Sequence, residues 1–494
     1  MGTDRAKETP RDNFKYGPGP LGNIPSSFMA GTAVIIDEDI TTTNPVKDWK
    51  YVSEGGATIV FSYVGPPNPA YDGMVLRLRK MPNVPVGVRD SDSSSDSESD
   101  DEEEDDPSIS FQRQCMTRLI PPTHLPRLQS ISVRMDPVRS ASIDSVTGTY
   151  INSSNEMPGA YHYHGPPHIH SNRWLRALAK SHEEFRPEAR RRVGGVDVHK
   201  RKGVLATDLV GGRGISVEIK PKWSFLPNPN FLSPETKSIK TQTCRFCMHS
   251  FVRAQEGETV SLGYCPLDLF SPDEARVRKA VYTLWDAWDA SEGRVNNLKV
   301  FVKGKMLKVD EKHLLLASAH SDSSTQDTSV DVREAFTDAI LPLLTRTPVL
   351  QTLNRLQRTL DMLDIEGLSQ LWNNWHHSTN PSAPVPHIGQ DTLEPTVDEW
   401  NEFIDNYLAQ AQNSSQQIDV LPAIDTGYQL RKYLLAYRSM DLLDPSSQSG
   451  EVRVDPKRVT VIDLDPKSMT RLRKWEQLDA EIVSTYQAAT GEQD

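Results

Sequence analysis

Ile215-Ser216-Val217-Glu218-Ile219-Lys220-Pro221-Lys222 reads as a buried strand that runs out into two lysines flanking a proline. Residues two apart on an extended chain share a face, so Lys220 and Lys222 are expected to present paired charge at the strand end. Downstream, Cys244-Arg245-Phe246-Cys247-Met248-His249 opens a helical pattern in which Arg245, His249 and Arg253 recur every fourth residue. Near the C-terminus the apolar Val459-Thr460-Val461-Ile462 leads into Asp463-Leu464-Asp465-Pro466-Lys467, and Lys467, Arg471 and Trp475 again step by four. Three separate elements thus offer ordered cations beside a few carboxylates. Guanidinium forks and lysine point charges in that arrangement suit phosphate groups.

A carboxylate at a strand end, here Asp463, suits Mg2+ bridging nucleotide phosphates. A second carboxylate is needed to take the proton of an attacking hydroxyl; Asp441 is the candidate, with Asp444 of nearly equal standing.

Trp49 to Gly65 reads as strand, turn, strand, with Glu54-Gly55-Gly56-Ala57-Thr58 at the turn. Glycine amides at such a turn can approach phosphate oxygens, although an ordinary hairpin accounts for the same residues. A further strand, Met74 to Leu78, carries Arg77. Ser271-Pro272-Asp273-Glu274 predicts a helix capped by Ser271, with Val277, Val281, Leu284, Trp285 and Trp288 on its buried face. Leu298 to Val302 reads as a strand, and 329–415 as helices broken across Pro381, Pro384 and Pro386. The expected architecture is two-lobed α+β.

The chain has 494 residues and a net charge of −12, yet the run from Arg89 to Asp106 alone holds 11 acidic residues. The remainder is therefore close to neutral, which, with no aromatics interleaved among the cations, argues against nucleic-acid binding. Residues 1–45 and an acidic insert over about 86–112 are expected to be disordered. A tethered polyanion of this kind could also compete with substrate for a basic cradle. An N-lobe over 46–205 and a C-lobe over 206–494 follow. The absence of an apolar run of membrane length or a signal-peptide core predicts a soluble intracellular protein without membrane insertion. The short basic stretch His199-Lys200-Arg201-Lys202 is a weak pointer to the nucleus.

Four cysteines fit a reducing compartment. Cys244, Cys247, His249 and Cys265 resemble a zinc half-site, but Cys244, Cys247, Met248 and Phe251 also trace the apolar stripe of an amphipathic helix, and core packing is the preferred reading. His162, His164, His168 and His170 lie among Gly165, Pro166 and Pro167 and read as a loop.

Taken in order, Glu-Gly-Gly-Ala, Val-Leu-Arg-Leu-Arg-Lys, Glu-Ile-Lys-Pro-Lys, Arg-Phe-x-Met-His, Pro-Leu-Asp-Leu-Phe-Ser and Asp-Leu-Asp-x-Lys resemble the inositol-pentakisphosphate 2-kinase family from about Trp49 to Leu478. The resemblance implies a two-lobed inositol polyphosphate kinase fold, distantly like protein kinases, with ATP and Mg2+ as cofactors. It implies transfer of the γ-phosphate to the axial 2-hydroxyl of inositol 1,3,4,5,6-pentakisphosphate, and a protein expected to be a monomer in nucleus or cytoplasm. A module that binds inositol phosphates or phosphoinositides without catalysis is the alternative.

Carried over by motif, Gly55, Gly56, Ala57 and Thr58 would cover the nucleotide phosphates and Arg77 would reach them. Thr207 and Asp208 would lie near adenine, Glu218 and Lys220 would border the nucleotide, and Asn296 or Asn297 would line the cleft. Asp463 would hold Mg2+, and Asp441 would act as base, with Lys220 beside it in the catalytic set. Lys222, Arg245, Arg253, Lys467, Arg471, Trp475 and one of Arg186 or Arg190, with Arg190 preferred, would grip substrate phosphates. The chain departs from the family pattern at Thr58, Ser250, Arg253, Trp475 and Leu442-Leu443 after the base, and no cysteine beyond Cys265 matches the zinc knuckle of plant members.

Overall fold

The computed structural model describes residues 40–83, 103–133, 142–143, 150–151, 173–210, 214–315, 331–413, 420–441, 451–455, 458–462, 464 and 468–491. Within them, strands β1 (Trp49–Glu54), β2 (Thr58–Tyr63), β3 (Met74–Pro82) and β4 (Leu128–Ser132) precede a small hairpin of β5 (Ser142–Ile143) and β6 (Tyr150–Ile151). Strands β7 (Gly194–Val196) and β8 (Lys202–Thr207) complete an antiparallel sheet of order β1-β2-β3-β8-β4, with β7 on the far end of β3. Alternating apolar residues give it one buried face. Ile59, Phe61, Leu76, Leu78 and Leu205 pack there with Trp49, Trp174, Leu175 and Leu178.

This core also reaches into the N-terminal segment expected to be disordered. Ile40 is fully buried in it, Trp49 Nε1 donates to Thr43 Oγ1 at 2.8 Å, and Trp174 Nε1 donates to the Thr43 carbonyl at 2.8 Å. Order therefore begins by residue 40.

A second sheet gathers β9 (Ile215–Ile219), β10 (Leu298–Val302), β11 (Lys305–Met306), β12 (Glu451–Asp455) and β13 (Arg458–Ile462) in the order β11-β10-β9-β12-β13. With neighbours on both sides, β9 buries Val217, Glu218 and Ile219. Backbone pairing of the first sheet continues past residue 205 to Asp208, whose amide donates to the Gly73 carbonyl at 2.8 Å.

The described α-helices of four residues or more are α1 (Pro107–Phe111), α2 (Arg173–His182), α3 (Glu188–Val193), α4 (Pro234–Lys240), α5 (Arg245–Gln255), α6 (Pro266–Leu269), α7 (Glu274–Ala290), α8 (Val332–Arg346), α9 (Val349–Leu360), α10 (Asp364–Thr379), α11 (Val397–Asn413), α12 (Gly427–Asp441) and α13 (Arg471–Thr490). The α7 residues read as its buried face are all buried, each such side chain contributing roughly 1.5–3 kcal/mol. Its N-cap, however, is Asp273, which accepts from the Ala275 amide; Ser271 instead accepts from the Asp273 amide at 3.1 Å. Asp273 wins because its carboxylate stands one residue before the first helical amides.

Of the insert expected to be disordered over about 86–112, residues 103–112 are ordered, and the rest lies outside the described residues. Glu103 pairs with Lys200 at 3.0 Å, Asp105 with Lys202 at 3.0 Å and Asp106 with Arg79 at 2.7 Å, and Asp106 caps α1. These carboxylates are neutralised by cations of the first sheet and its approach. Residues 46–205 do not form one unit. Phe111, Cys115, Met116 and Leu119 belong to the core of the second sheet, where Phe111 meets Trp400 edge-on and His124 Nδ1 lies 2.8 Å from the Val459 carbonyl.

Candidate active site

Beyond β9 the chain is held by side chains from three other segments. Lys220 exchanges backbone contacts with Asn297, whose Nδ2 donates to the Lys220 carbonyl at 3.2 Å. Tyr264 OH donates to the Pro221 carbonyl at 2.8 Å, and Gln357 Oε1 accepts from the Ser224 amide and hydroxyl at 3.1 and 2.6 Å. Between these ties Lys222 adopts φ 65°, left-handed backbone that costs an unglycinated residue about 1–3 kcal/mol. The strand alternation used to pair the lysines thus ends at Ile219. Both lysines are nonetheless buried, at 8 % exposure.

Helix α5 supplies the neighbouring cations. The Arg245 guanidinium stacks on the Trp223 ring at 4.2 Å, with Nε 3.3 Å from Asp479 Oδ1 and Nη2 donating to the Trp475 carbonyl at 3.4 Å. Its buried Nη1 has no hydrogen-bond partner among the described residues. One turn on, burial pushes the His249 imidazole down to about 4, with the charges of Arg253, Arg245 and Lys222 adding to the effect. Four basic residues therefore share one local field. Arg253 is also paired with Glu258, which a phosphate would have to outcompete.

Behind Arg245, Lys240 is 2 % exposed and donates to Asp364, Glu366 and Asp479 at 2.6, 2.9 and 2.8 Å. Trp475 packs beside Tyr437 and over the buried Arg438, while Arg471 is exposed at the start of α13. Helix α13 begins at Arg471; Lys467 and Asp463 lie outside the described residues. Asp441 is the last residue of α12.

At the other sheet, Gly55 and Gly56 close the β1–β2 turn, where a side chain at either would meet nothing within 4 Å. Ala57 and Thr58 complete the turn, with the Gly55 amide donating to the Thr58 carbonyl at 2.9 Å. Arg77 is half-buried on β3. Glu54 anchors the turn from below: Arg186 takes both its oxygens at 3.0 and 2.9 Å, and Lys80 binds it at 2.5 Å. Arg186 also binds Glu183 and the Gly194 carbonyl, so it is a brace within the fold, whereas Arg190 is exposed on α3.

Thr207 Oγ1 accepts from the Arg127 amide at 2.8 Å, and Asp208 accepts from Ser62 and from the Val210 amide. Glu218 is buried against Lys299 at 2.7 Å. Of the two asparagines, Asn297 spends its side chain on Lys220 and Ser261, and Asn296 is exposed.

Compared with known proteins, residues 51–481 match the sequence model of the inositol-pentakisphosphate 2-kinase family. The chain belongs to this family. It is 30 % identical over 459 residues to an inositol-pentakisphosphate 2-kinase of Cryptococcus neoformans, covering 88 % of this chain and 92 % of that protein. It is 25 % identical over 504 residues to an inositol-pentakisphosphate 2-kinase of Arabidopsis thaliana, covering 91 % and 95 %. A Danio rerio protein of that name is 43 % identical over 94 residues, 19 % of this chain and 18 % of its own.

In this inositol-pentakisphosphate 2-kinase family member, the four-residue spacing with Arg245 and Arg253 made His249 legible from sequence, whereas Trp223, Asp479 and Lys240 were not. Asp479 and Lys240 carried no local signal, because their pairing joins segments 239 residues apart.

Proposed function

We propose that the chain transfers the γ-phosphate of ATP to the axial 2-hydroxyl of inositol 1,3,4,5,6-pentakisphosphate, yielding inositol hexakisphosphate. The observation that carries this reading is the grouping of Lys222, Arg245 and Arg253 close enough for their charges to bear together on His249, with Arg245 braced by Trp223 and Asp479. A substrate with five phosphates demands such density of positive charge, and a braced guanidinium supplies it without reorganisation.

In this reading the two sheets are the two lobes of a kinase-like fold. The open Gly55-Gly56-Ala57-Thr58 turn and Arg77 lie over the ATP phosphates, and Thr207, Asp208, Glu218, Lys220 and Asn296 border the nucleotide. Lys222, Arg245, Arg253, Arg471 and Arg190 hold the inositol phosphates, with Trp475 packing behind them. Asp441 accepts the 2-hydroxyl proton as the oxygen attacks the γ-phosphorus. Asp463 would hold Mg2+, which would neutralise phosphate charge. Rigid positioning dominates such transfers. The protein is proposed to act as a monomer inside the cell, in nucleus or cytoplasm. Among the described residues no helix is long and apolar enough to cross a membrane.

The test is phosphate transfer from ATP and Mg2+ to inositol 1,3,4,5,6-pentakisphosphate by wild type and Asp441→Asn. Product from wild type alone supports both activity and base. Equal product from both moves the base elsewhere, and tight binding without product from either overturns the kinase reading.

A further inference from the structure

The three cysteines read from sequence as helix-face hydrophobes meet sulfur to sulfur. Cys244 Sγ lies 3.1 Å from Cys247 Sγ and 3.8 Å from Cys265 Sγ, and all three sulfurs fall within 4.8 Å of one another. Cys244 is the N-cap of α5 rather than a member of its stripe, and Cys247 stands in the first turn. Cys265 arrives from a different segment, capping α6, and its carbonyl accepts the Asp268 amide at 3.0 Å. Met248 and Val252 carry the buried helical face without them.

Simple core packing would surround each thiol with carbon. Here two backbone segments instead converge three soft donors from fixed helix starts. A zinc–thiolate bond of about 2.3 Å places neighbouring sulfurs of a tetrahedral site about 3.8 Å apart, the separation found between Cys244 and Cys265. A disulfide between Cys244 and Cys247 would leave Cys265 stranded beside it. His249, which sequence grouped with the cysteines, is set among Lys222, Arg245 and Arg253.

We propose that Cys244, Cys247 and Cys265 bind one Zn2+ as thiolates, with water in the fourth position. Cys247 and Cys265 are only partly buried, which gives solvent access to that position. The ion joins the start of α5, where Arg245 stands between two ligands, to the segment whose Tyr264 holds the Pro221 carbonyl. It therefore clamps the helix that carries Arg245 and His249 to the loop that carries Lys222. The role assigned to the ion is that clamp; thiolate ligands suit zinc, and three of them with a water leave one position open.

The test is the metal content of the full-length protein purified without chelator. About one zinc per chain is expected in wild type, with most of it lost in Cys265→Ser. Should that variant fail to fold, Co2+ titrated into metal-free wild type should give thiolate-to-cobalt charge-transfer absorption and the intense visible bands of a tetrahedral site. No zinc together with no cobalt signal overturns the inference, and so does a Cys244–Cys247 disulfide found by thiol counting and peptide mapping. Because neither readout uses substrate, the outcome is independent of the kinase reading.

Discussion

Arg245 is held from behind by Asp479, Nε to Oδ1 at 3.3 Å, while the other oxygen of Asp479 accepts from Lys240. The acidic partner fixes one edge of the guanidinium. Asp479 is thus a positioning residue, and Lys240 with Asp364 holds it in turn.

Asp479→Asn should lower kcat/KM for the pentakisphosphate roughly 10- to 150-fold, the equivalent of about 1.5–3 kcal/mol for one charge-assisted contact. Steady-state kinetics check this. The same substitution should cost an inositol tetrakisphosphate lacking the phosphate bound by Arg245 far less, an asymmetry that general loosening of the fold would not give.

Arg186 and Arg190 should separate cleanly. Removing Arg186 strips the buried Glu54 of its bidentate partner, so Arg186→Ala should destabilise by about 3 kcal/mol in chemical denaturation. Arg190→Ala should leave stability unchanged and raise KM for the inositol phosphate.

His249 ties stability to pH. Burial, reinforced by Arg253, Arg245 and Lys222 and opposed by Glu258, holds it near 4 in the folded chain against the ordinary 6.5. Between these values the unfolded state binds more protons, so stability rises with pH through this window and falls as pH drops. His249→Asn should flatten that slope in denaturation followed from pH 7 to 4. An NMR titration should find the imidazole midpoint near 4, shifted upward in Arg253→Ala.

The glycine turn offers a test of binding apart from folding. Neither Gly55 nor Gly56 has positive φ, and a side chain there meets nothing. Gly56→Val should therefore leave the thermal midpoint in place while raising KM for ATP, because only the bound nucleotide would meet the added carbons.

Period and turn chemistry made much of this legible in advance. The β1–β2 hairpin, the α7 face and the strand at Val459 all follow from residues close together in sequence. What stayed hidden depends on distant partners. Arg186 looks like any arginine until Glu54 closes on it from 132 residues away, and the last acids of the insert look solvated until Arg79, Lys200 and Lys202 meet them. The thiols likewise read as a helical stripe because Cys265 belongs to another segment. Lys222 broke the expected alternation because tertiary ties, not strand geometry, set its backbone.

Lys222 works as a gauge. Its backbone is kept in an unfavourable twist by contacts from Tyr264, Asn297 and Gln357 around it, so the position of its charge is set before any ligand arrives. A loop of that kind cannot wrap itself around whichever polyphosphate diffuses in. With Lys222 gripping a substrate phosphate as proposed, isomers that place a phosphate elsewhere on the ring are expected to be refused by a mismatch of spacing, on first encounter and ahead of any chemistry.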